Sequence, residues 1–436
     1  MLQEQISRAG VVGAGGAGFP SAFKLAEGIE TVLINGVECE PLLKTDFHLY
    51  AAQRAFLEET LEAVVEQSGA KEGVLAIKRH AAELLGISAH SFGKSCRYAV
   101  IDNIYPAGDE LVLIEEALGK TVGSGKLPIS QGVVVYNLET LYNIGNAMAG
   151  NPVTEKFVTI AGRTEKTTVL KVPVGTSLSY LLEQAGLTLT EEDAIIEGGP
   201  MMGKLSGADA VVTKTTKGYL ILPKDSSVVM RRKLNQRVAL SRAASACCGC
   251  HMCTDLCPRH LLGHDIEPHK IVKTVAQGIQ NTKVFQGAFL CSSCSVCDTI
   301  ACCQGLSPRM VFAGVKGELA KQGMRPEPKD VKPRQERAFR RVPTQRILRR
   351  LGVWQYDRDD YTYVEPPRPQ EVEIPLRQHI GGLYPLAVKV GDRVKTGDPL
   401  TAQGEGLGAL IHASIDGTVT EITEKAVKIV ESNRSH

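Results

Sequence analysis

The chain has 436 residues, 43% of them apolar, long enough for about three domains with separate cores. Its 50 Lys and Arg stand against 48 Asp and Glu, and the net charge of +2 argues for neither nucleic acid nor an acidic partner. No apolar run of about 18 residues occurs, and Met1–Gly18 has no basic region followed by a long apolar stretch, which argues against a membrane span and a secretory signal.

Residues 1–150 alternate strand and helix signals. The run Gly13-Ala14-Gly15-Gly16-Ala17-Gly18-Phe19-Pro20 formally contains GxGxxG, but the strand before it spans at most Ile6–Val12, short for the dinucleotide fingerprint. The run offers backbone amides without side chains, able to approach a phosphate or a flat ring; the alternative is a tight turn. Short apolar runs at Thr31–Ile34, Val74–Ile77, Tyr98–Ile101 and Val133–Tyr136 predict buried strands. Leu57, Leu61, Val64 and Val65 predict a helix within Asp46–Gln67, so the pattern is α/β. After the first strand, Asn35-Gly36-Val37-Glu38-Cys39-Glu40-Pro41 puts two carboxylates and an amide where α/β folds bind ligands. Tyr105-Pro106-Ala107-Gly108-Asp109-Glu110 is a further polar loop.

Residues 151–225 change texture. Lys156–Ile160 and Thr167–Val172 predict paired strands around Gly162, and Ser177–Gln184 a short helix stopped by Gly186, a small β-rich domain of ubiquitin-like size. Residues 240–325 predict helical turns and hold ten of the twelve cysteines. Residues 326–370 are proline-rich and charged and predict a linker, with a solvated helix near Thr344–Leu351 docked by Ile347, Leu348 and Leu351. Residues 371–431 alternate short strands with glycine turns, an all-β module.

The first cysteine group is Cys247-x2-Cys250-x2-Cys253-x3-Cys257 followed by Pro258, the bacterial-ferredoxin run. The second is Cys291-x2-Cys294-x2-Cys297, with a fourth ligand at Cys302 or Cys303; Cys302 is favoured, although its gap is one residue longer than standard. In such runs the fourth cysteine serves the other cluster, so one [4Fe–4S] cluster takes Cys247, Cys250, Cys253 and Cys302, and the other takes Cys291, Cys294, Cys297 and Cys257. Zinc sites use two CxxC pairs instead. Such clustering in a chain without a signal points to metal ligation in a reducing, cytoplasmic compartment. Cys248 is surplus, and Cys39 and Cys96 are expected to be small buried hydrophobes. Clusters move one electron at a time, so a nucleotide-type α/β domain beside them suggests a flavin that splits hydride chemistry into single electrons.

Taken together, GAGGAGFP with Lys24, NGVECEP with Asp46, YPAGDE, Asn137 in VVVYNLET and Gly198-Gly199-Pro200-Met201-Met202-Gly203 resemble the C subunit of the Rnf electron-transport complex. More distantly they resemble the NADH-oxidising flavoprotein subunit of respiratory complex I. With the glycine loop beginning by Gly13 and a barrel-sandwich module at the C-terminus, the arrangement is similar to the cobalamin-reductase branch of propanediol-utilisation microcompartments. The resemblance implies a multidomain α/β protein: a flavin/NADH-binding α/β domain (1–150), a soluble-ligand-binding β-grasp domain (151–225), a helical 2[4Fe–4S] domain (240–325), a linker (326–370) and a C-terminal all-β barrel-sandwich hybrid (371–431). It implies FMN and NADH contacts at Gly13, Gly15, Gly16, Gly18, Lys24, Asn35, Glu38, Glu40 and Asn137, with Phe19 stacked on the nicotinamide. It implies NADH-driven reduction of a corrinoid, cobalamin, inside a bacterial microcompartment, with cobalamin adenosyltransferase and a shell protein as partners. An electron-transfer subunit serving another reductase or a membrane complex is the alternative. The C-terminal module resembles a lipoyl or biotinyl carrier, yet Thr401–Ala413 contains no lysine to carry the group, so a docking or structural part is expected. His251, His260, His264 and His269 are either cobalt ligands or solvated and capping imidazoles; a reductase can pass electrons to a corrinoid without ligating it.

Overall fold

The structure, a computed structural model, describes residues 2–88, 90–279 and 281–431. The apolar runs of the first 150 residues become the strands Thr31–Gly36, Glu72–Lys78, Cys96–Ile101 and Val133–Asn137 of one parallel sheet. Ser91–Phe92 adds an antiparallel edge beside Cys96–Ile101. From that edge, the order is Cys96–Ile101, Glu72–Lys78, Thr31–Gly36 and Val133–Asn137. The chain thus starts in Thr31–Gly36, builds outward on one side, then crosses to add Val133–Asn137 on the other. The strand order reverses between those two, and their carboxyl ends, where Asn35 stands opposite Asn137, frame the crevice in which an open α/β sheet binds ligands. The helix Thr45–Ser68 buries Leu49, Leu57, Leu61, Val64 and Val65 and stops at left-handed Gly69.

The strand expected at Ile6–Val12 is absent. Leu2–Arg8 is a helix whose Leu2 and Ile6, four residues apart on one face, are both buried. Val12 makes only an isolated bridge to Pro20. The glycine run therefore follows a helix and leads into the turn Ser21–Lys24, unlike a strand-to-helix dinucleotide loop.

In the β-grasp domain Glu155–Gly162 and Thr167–Pro173 pair antiparallel, and Gly218–Pro223 lies parallel to the former. Ser177 caps the helix Leu178–Gln184 by accepting from the Tyr180 N–H. Lys156 and Lys217 of this domain meet Glu139 and Asp46 of the α/β domain in a buried cluster; Lys217 lies 2.5 Å from Asp46 and 3.1 Å from Glu139. Against the burial that would raise it, these two lysines hold the Glu139 carboxyl below the usual range.

In the cysteine domain, the helices Gln236–Ala246, Pro268–Ala276 and Pro308–Lys321 pack around Ile271, Val272, Val311 and Phe312. Residues 326–370 are a docked strap and do not form a free linker. Val342–Pro343 pairs with Ile104–Tyr105, Thr344–Leu351 buries Ile347, Leu348 and Leu351, and Tyr361–Val364 extends the β-grasp sheet alongside Thr167–Leu170. Three arginines ahead of that helix are paired, Arg337 with Glu116, Arg340 with Asp255, Arg341 with Asp102 and Glu116, while Arg346, Arg349 and Arg350 on the helix itself are exposed, as expected. The C-terminal module is a four-stranded sheet, Glu371–Pro375, Ala426–Val430, Gly417–Ile422 and Arg393–Val394, over a core that includes Ile374, Leu400, Val419 and Ile429. Among the described residues no helix is long and apolar enough to cross a membrane.

Candidate functional site

At the crevice between Asn35 and Asn137 lies a cleft of about 520 Å³. Its floor is the glycine run, closed on itself by the Gly13 N–H donating to the Phe19 carbonyl at 2.8 Å and anchored by the Ala14 N–H to Thr140 Oγ1 at 3.0 Å. Gly16 has φ +142°, and a Cβ there would meet no atom within 4 Å. The glycine leaves space on the cleft side that a side chain would take. A Cβ on Gly18 would sit 2.9 Å from the Gln378 carbonyl, because the C-terminal module packs directly on the loop and brings Ile380 to the cleft.

Lys24 reaches into the cleft, donating to the Val135 carbonyl at 2.8 Å and standing 3.4 Å from Glu110. Asn35 donates to the Gly108 carbonyl at 2.9 Å. Asn137 caps the helix Leu138–Met148 by accepting from the Glu139 N–H, and donates to Asp46 at 2.9 Å. Gly13, Gly15, Gly16, Gly18, Phe19, Lys24, Asn35 and Asn137 are thus brought together around one space. A cleft of this size, with open backbone at Gly16, one lysine and two strand-end amides, fits a phosphate-bearing flat ring.

Glu38 and Glu40 are not in it. Glu38 accepts from Thr45 Oγ1 at 2.7 Å, Asp46 N–H at 3.1 Å and Phe47 N–H at 3.3 Å, capping the amino end of Thr45–Ser68. Glu40 accepts from the Met201 N–H at 2.9 Å and so fastens the Gly198–Gly203 loop of the β-grasp domain to the α/β domain. Burial pushes both carboxyls up, with the Asp46 charge adding at Glu38. Both line a second cleft of about 480 Å³ with Lys44, Lys78 and His80. A carboxylate after a strand reads as a ligand contact; the uncapped helix starting at Thr45 was the competing demand. Gly108, Glu110 and Ile380 line the flavin-sized cleft and were not assigned from sequence. The first two lie in the Tyr105–Glu110 loop that the sequence singled out without assigning its residues; Ile380, in another domain, carried no signal.

The ten clustered cysteines fall into two foursomes and a remainder. One space is lined by six cysteines, the expected Cys247, Cys250, Cys253 and Cys302 with Cys248 and Cys303 beside them, and the sulfurs of Cys248, Cys250 and Cys303 lie within 4.8 Å of one another; Cys257, Cys291, Cys294 and Cys297 converge on another. Each C-x2-C-x2-C run winds through two left-handed residues at corresponding positions, Gly249 and His251 in the first, Ser293 and Ser295 in the second. Backbone N–H groups donate to sulfur, Ser293 to Cys291 and Leu306 to Cys302, both at 3.3 Å. The extra residue between Cys297 and Cys302 is absorbed by a π-helical turn, Cys297–Ala301, closed by the Cys302 N–H on the Cys297 carbonyl. That turn brings Cys302 to Cys253, while Cys303 stays exposed, 3.8 Å from Cys248 and 4.0 Å from Cys250. Burial pushes the Cys253 and Cys257 thiols up to about 12, and their sulfur neighbours add to it. Converging thiols of this kind ionise together only when a metal takes them, so the donor sets fit two cubanes.

The foursomes differ in setting. Cys294 and Cys297 are buried, and Tyr105 of the α/β domain donates to the Cys294 carbonyl at 2.8 Å. Nearby, Arg259 pairs at 2.9 Å with Asp109, which caps the helix Glu110–Leu118 at the cleft. This inner foursome adjoins the cleft. The outer one opens to solvent at Cys250, beside His251 stacked on His269 with ring centroids 3.9 Å apart. The other histidines stand elsewhere: His264 Nδ1 on Ser124 Oγ at 2.8 Å, His260 Nδ1 on the Ile266 carbonyl at 2.9 Å. Cys96 is buried as expected, whereas Cys39 is only partly so.

Residues 6–146 match the Nuo51 FMN-binding domain, residues 246–307 a 4Fe-4S dicluster domain, and residues 360–435 the RnfC barrel sandwich hybrid domain. The chain is 31% identical to the C subunit of the Na(+)-translocating ferredoxin:NAD(+) oxidoreductase complex of Acetobacterium woodii, over 60% of this chain and 58% of that protein. It is 38% identical to cobalamin reductase PduS of Citrobacter freundii, over 98% of this chain and 96% of that protein. It is 39% identical to cobalamin reductase PduS of Salmonella typhimurium, over 98% of this chain and 96% of that protein. With likeness at that level along nearly the whole of both molecules, the chain belongs to the family of the PduS cobalamin reductases.

Proposed function

We propose that this protein is an NADH-dependent cobalamin reductase holding FMN in the glycine-run cleft and two [4Fe–4S] clusters in the two foursomes. The observation that carries the reading is the near-full-length likeness to cobalamin reductases. The cleft and the graded exposure of the cysteines support it. When bound, the flavin would take both electrons of a hydride and the clusters would carry them singly from the cleft towards the exposed foursome. The chain's own residues bind and orient. The amides of Gly15–Gly18 and the Lys24 ammonium would hold phosphate. Phe19 would offer a face to the nicotinamide, and Asn35 and Asn137 fix the cleft walls through Gly108 and Asp46. His251 and Cys250 stand where a corrinoid would meet the outer foursome. Within this reading the protein works in the cytoplasm inside a microcompartment, next to a cobalamin adenosyltransferase and a shell protein; co-purification from intact compartments checks those neighbours.

Gly16→Val tests the cleft. A branched side chain would meet no atom but would strain a backbone held at φ +142°, so the damage should stay in the loop: the protein should keep about eight irons and the flavin should be lost. Acid extraction should release FMN from the unmodified protein. Recovery of FAD, or full FMN content in the variant, overturns the assignment. A reconstituted chain that oxidises NADH but cannot reduce cob(III)alamin or cob(II)alamin would favour a subunit that serves another reductase or a membrane complex.

A further inference from the structure

The two surplus thiols of the cysteine domain lie together. Cys248 and Cys303 are both exposed, and their sulfurs are 3.8 Å apart. Each follows directly on an outer-foursome cysteine, Cys247 and Cys302, and each sits in an irregular segment. A disulfide needs the sulfurs about 2.05 Å apart, a gap that side-chain rotation in two loops can close. Cys250 is the other sulfur near Cys303, at 4.0 Å, but on the reading above it is committed to iron. Cys248 is then the free partner.

We propose that Cys248 and Cys303 form a dithiol–disulfide pair that peroxide closes over the outer foursome, an inference that rests on the cluster assignment above. One thiol is oxidised by a hydroperoxide, RSH + R′OOH giving RSOH + R′OH. The second thiol then displaces water, RSOH + RSH giving RSSR + H2O, so the peroxide O–O bond takes both electrons. Exposed thiols beside a resolving partner are the ones that react this way. The closed bond joins the two segments that carry Cys247 and Cys302, and so clamps the solvent-facing half of the array. Being exposed, it is of the labile, reversible kind.

The test uses the full chain, reconstituted anaerobically to about eight irons. It is treated with a small excess of hydrogen peroxide, alkylated, digested and mapped by mass spectrometry, with iron measured in parallel. The expected result is a Cys248–Cys303 link with loss of two hydrogens, iron unchanged, and reversal by dithiothreitol. The link should vanish in Cys248→Ser and in Cys303→Ser, persist in Cys39→Ser, and both serine variants should lose iron faster under peroxide. Both thiols alkylated while iron stays intact would overturn the proposal. So would links that form only as iron is lost and that involve Cys250 or Cys302. Failure to take up about eight irons before any peroxide is added would instead sink the cluster assignment.

Discussion

The inner and outer foursomes have nearly the same spacing and opposite surroundings. Cys294 and Cys297 are buried in a seam shared with the α/β domain, stitched by Tyr105 and by Arg259–Asp109. The outer foursome has Cys250 and its neighbours Cys248 and Cys303 open to solvent. Spacing fixes how many irons can be held; what packs around the sulfurs decides which set faces the donor and which faces the acceptor. The inner set is also part of the structural joint between domains, and the outer set is not, which separates them experimentally.

The largest effect should come from breaking either set. Cys250→Ser and Cys294→Ser should each abolish NADH-driven cobalamin reduction and leave the NADH-dependent bleaching of the flavin. Each should lose about four irons. Only Cys294→Ser should also lower the melting temperature, because its site is the buried seam. Full-rate cobalamin reduction by Cys250→Ser would place the outer set off the path. Next, Cys302→Ser should lose about four irons while Cys303→Ser keeps about eight; the reverse would mean that the π turn does not select the ligand. Tyr105→Phe strips the donor from a buried carbonyl and should cost about 1–2 kcal/mol, read as a melting shift of a few degrees with iron unchanged.

The smallest effect concerns acid. Burial, with Arg259 adding, pushes His264 down to about 4 from its ordinary value, while Asp109 and Asp265 pull the other way. The unfolded chain therefore binds a proton near pH 6.5 that the folded chain refuses until about 4. Stability from this group is complete above about 6.5, falls as the pH drops towards 4, and is flat below. Since His264 bonds Ser124 across the same inner joint, His264→Gln should flatten that acid slope; an unchanged slope would assign it to other groups.

Much of this was legible in the residues because the signals were local. Four apolar runs gave four strands, and the cysteine runs marked the segment that matches a 4Fe-4S dicluster domain, since thiolate spacing in a tight loop is a local signal. Ser177 announced its helix by a cap. What failed depended on distant partners. Leu2 and Ile6 form too short a pattern to separate helix from strand. The strap at 326–370 has the composition of a linker, and only the acidic partners Asp102, Glu116 and Asp255, far off in sequence, reveal that Arg337, Arg340 and Arg341 are bound. Glu38 and Glu40 were placed at the ligand because their strand end was right; the helix at Thr45 and the loop at Met201 claimed them instead.

The contact between the C-terminal module and the glycine run has a consequence for inheritance. Ile380 lines the cleft and Gln378 lies against Gly18, more than three hundred residues downstream of it in the chain. The module that matches the RnfC barrel sandwich hybrid domain here supplies part of the wall of the cleft in the first domain. The flavin-type domain is consequently not an exchangeable cassette. A recombination that transplanted residues 1–150 alone would carry the glycines away and leave one wall of their cleft behind.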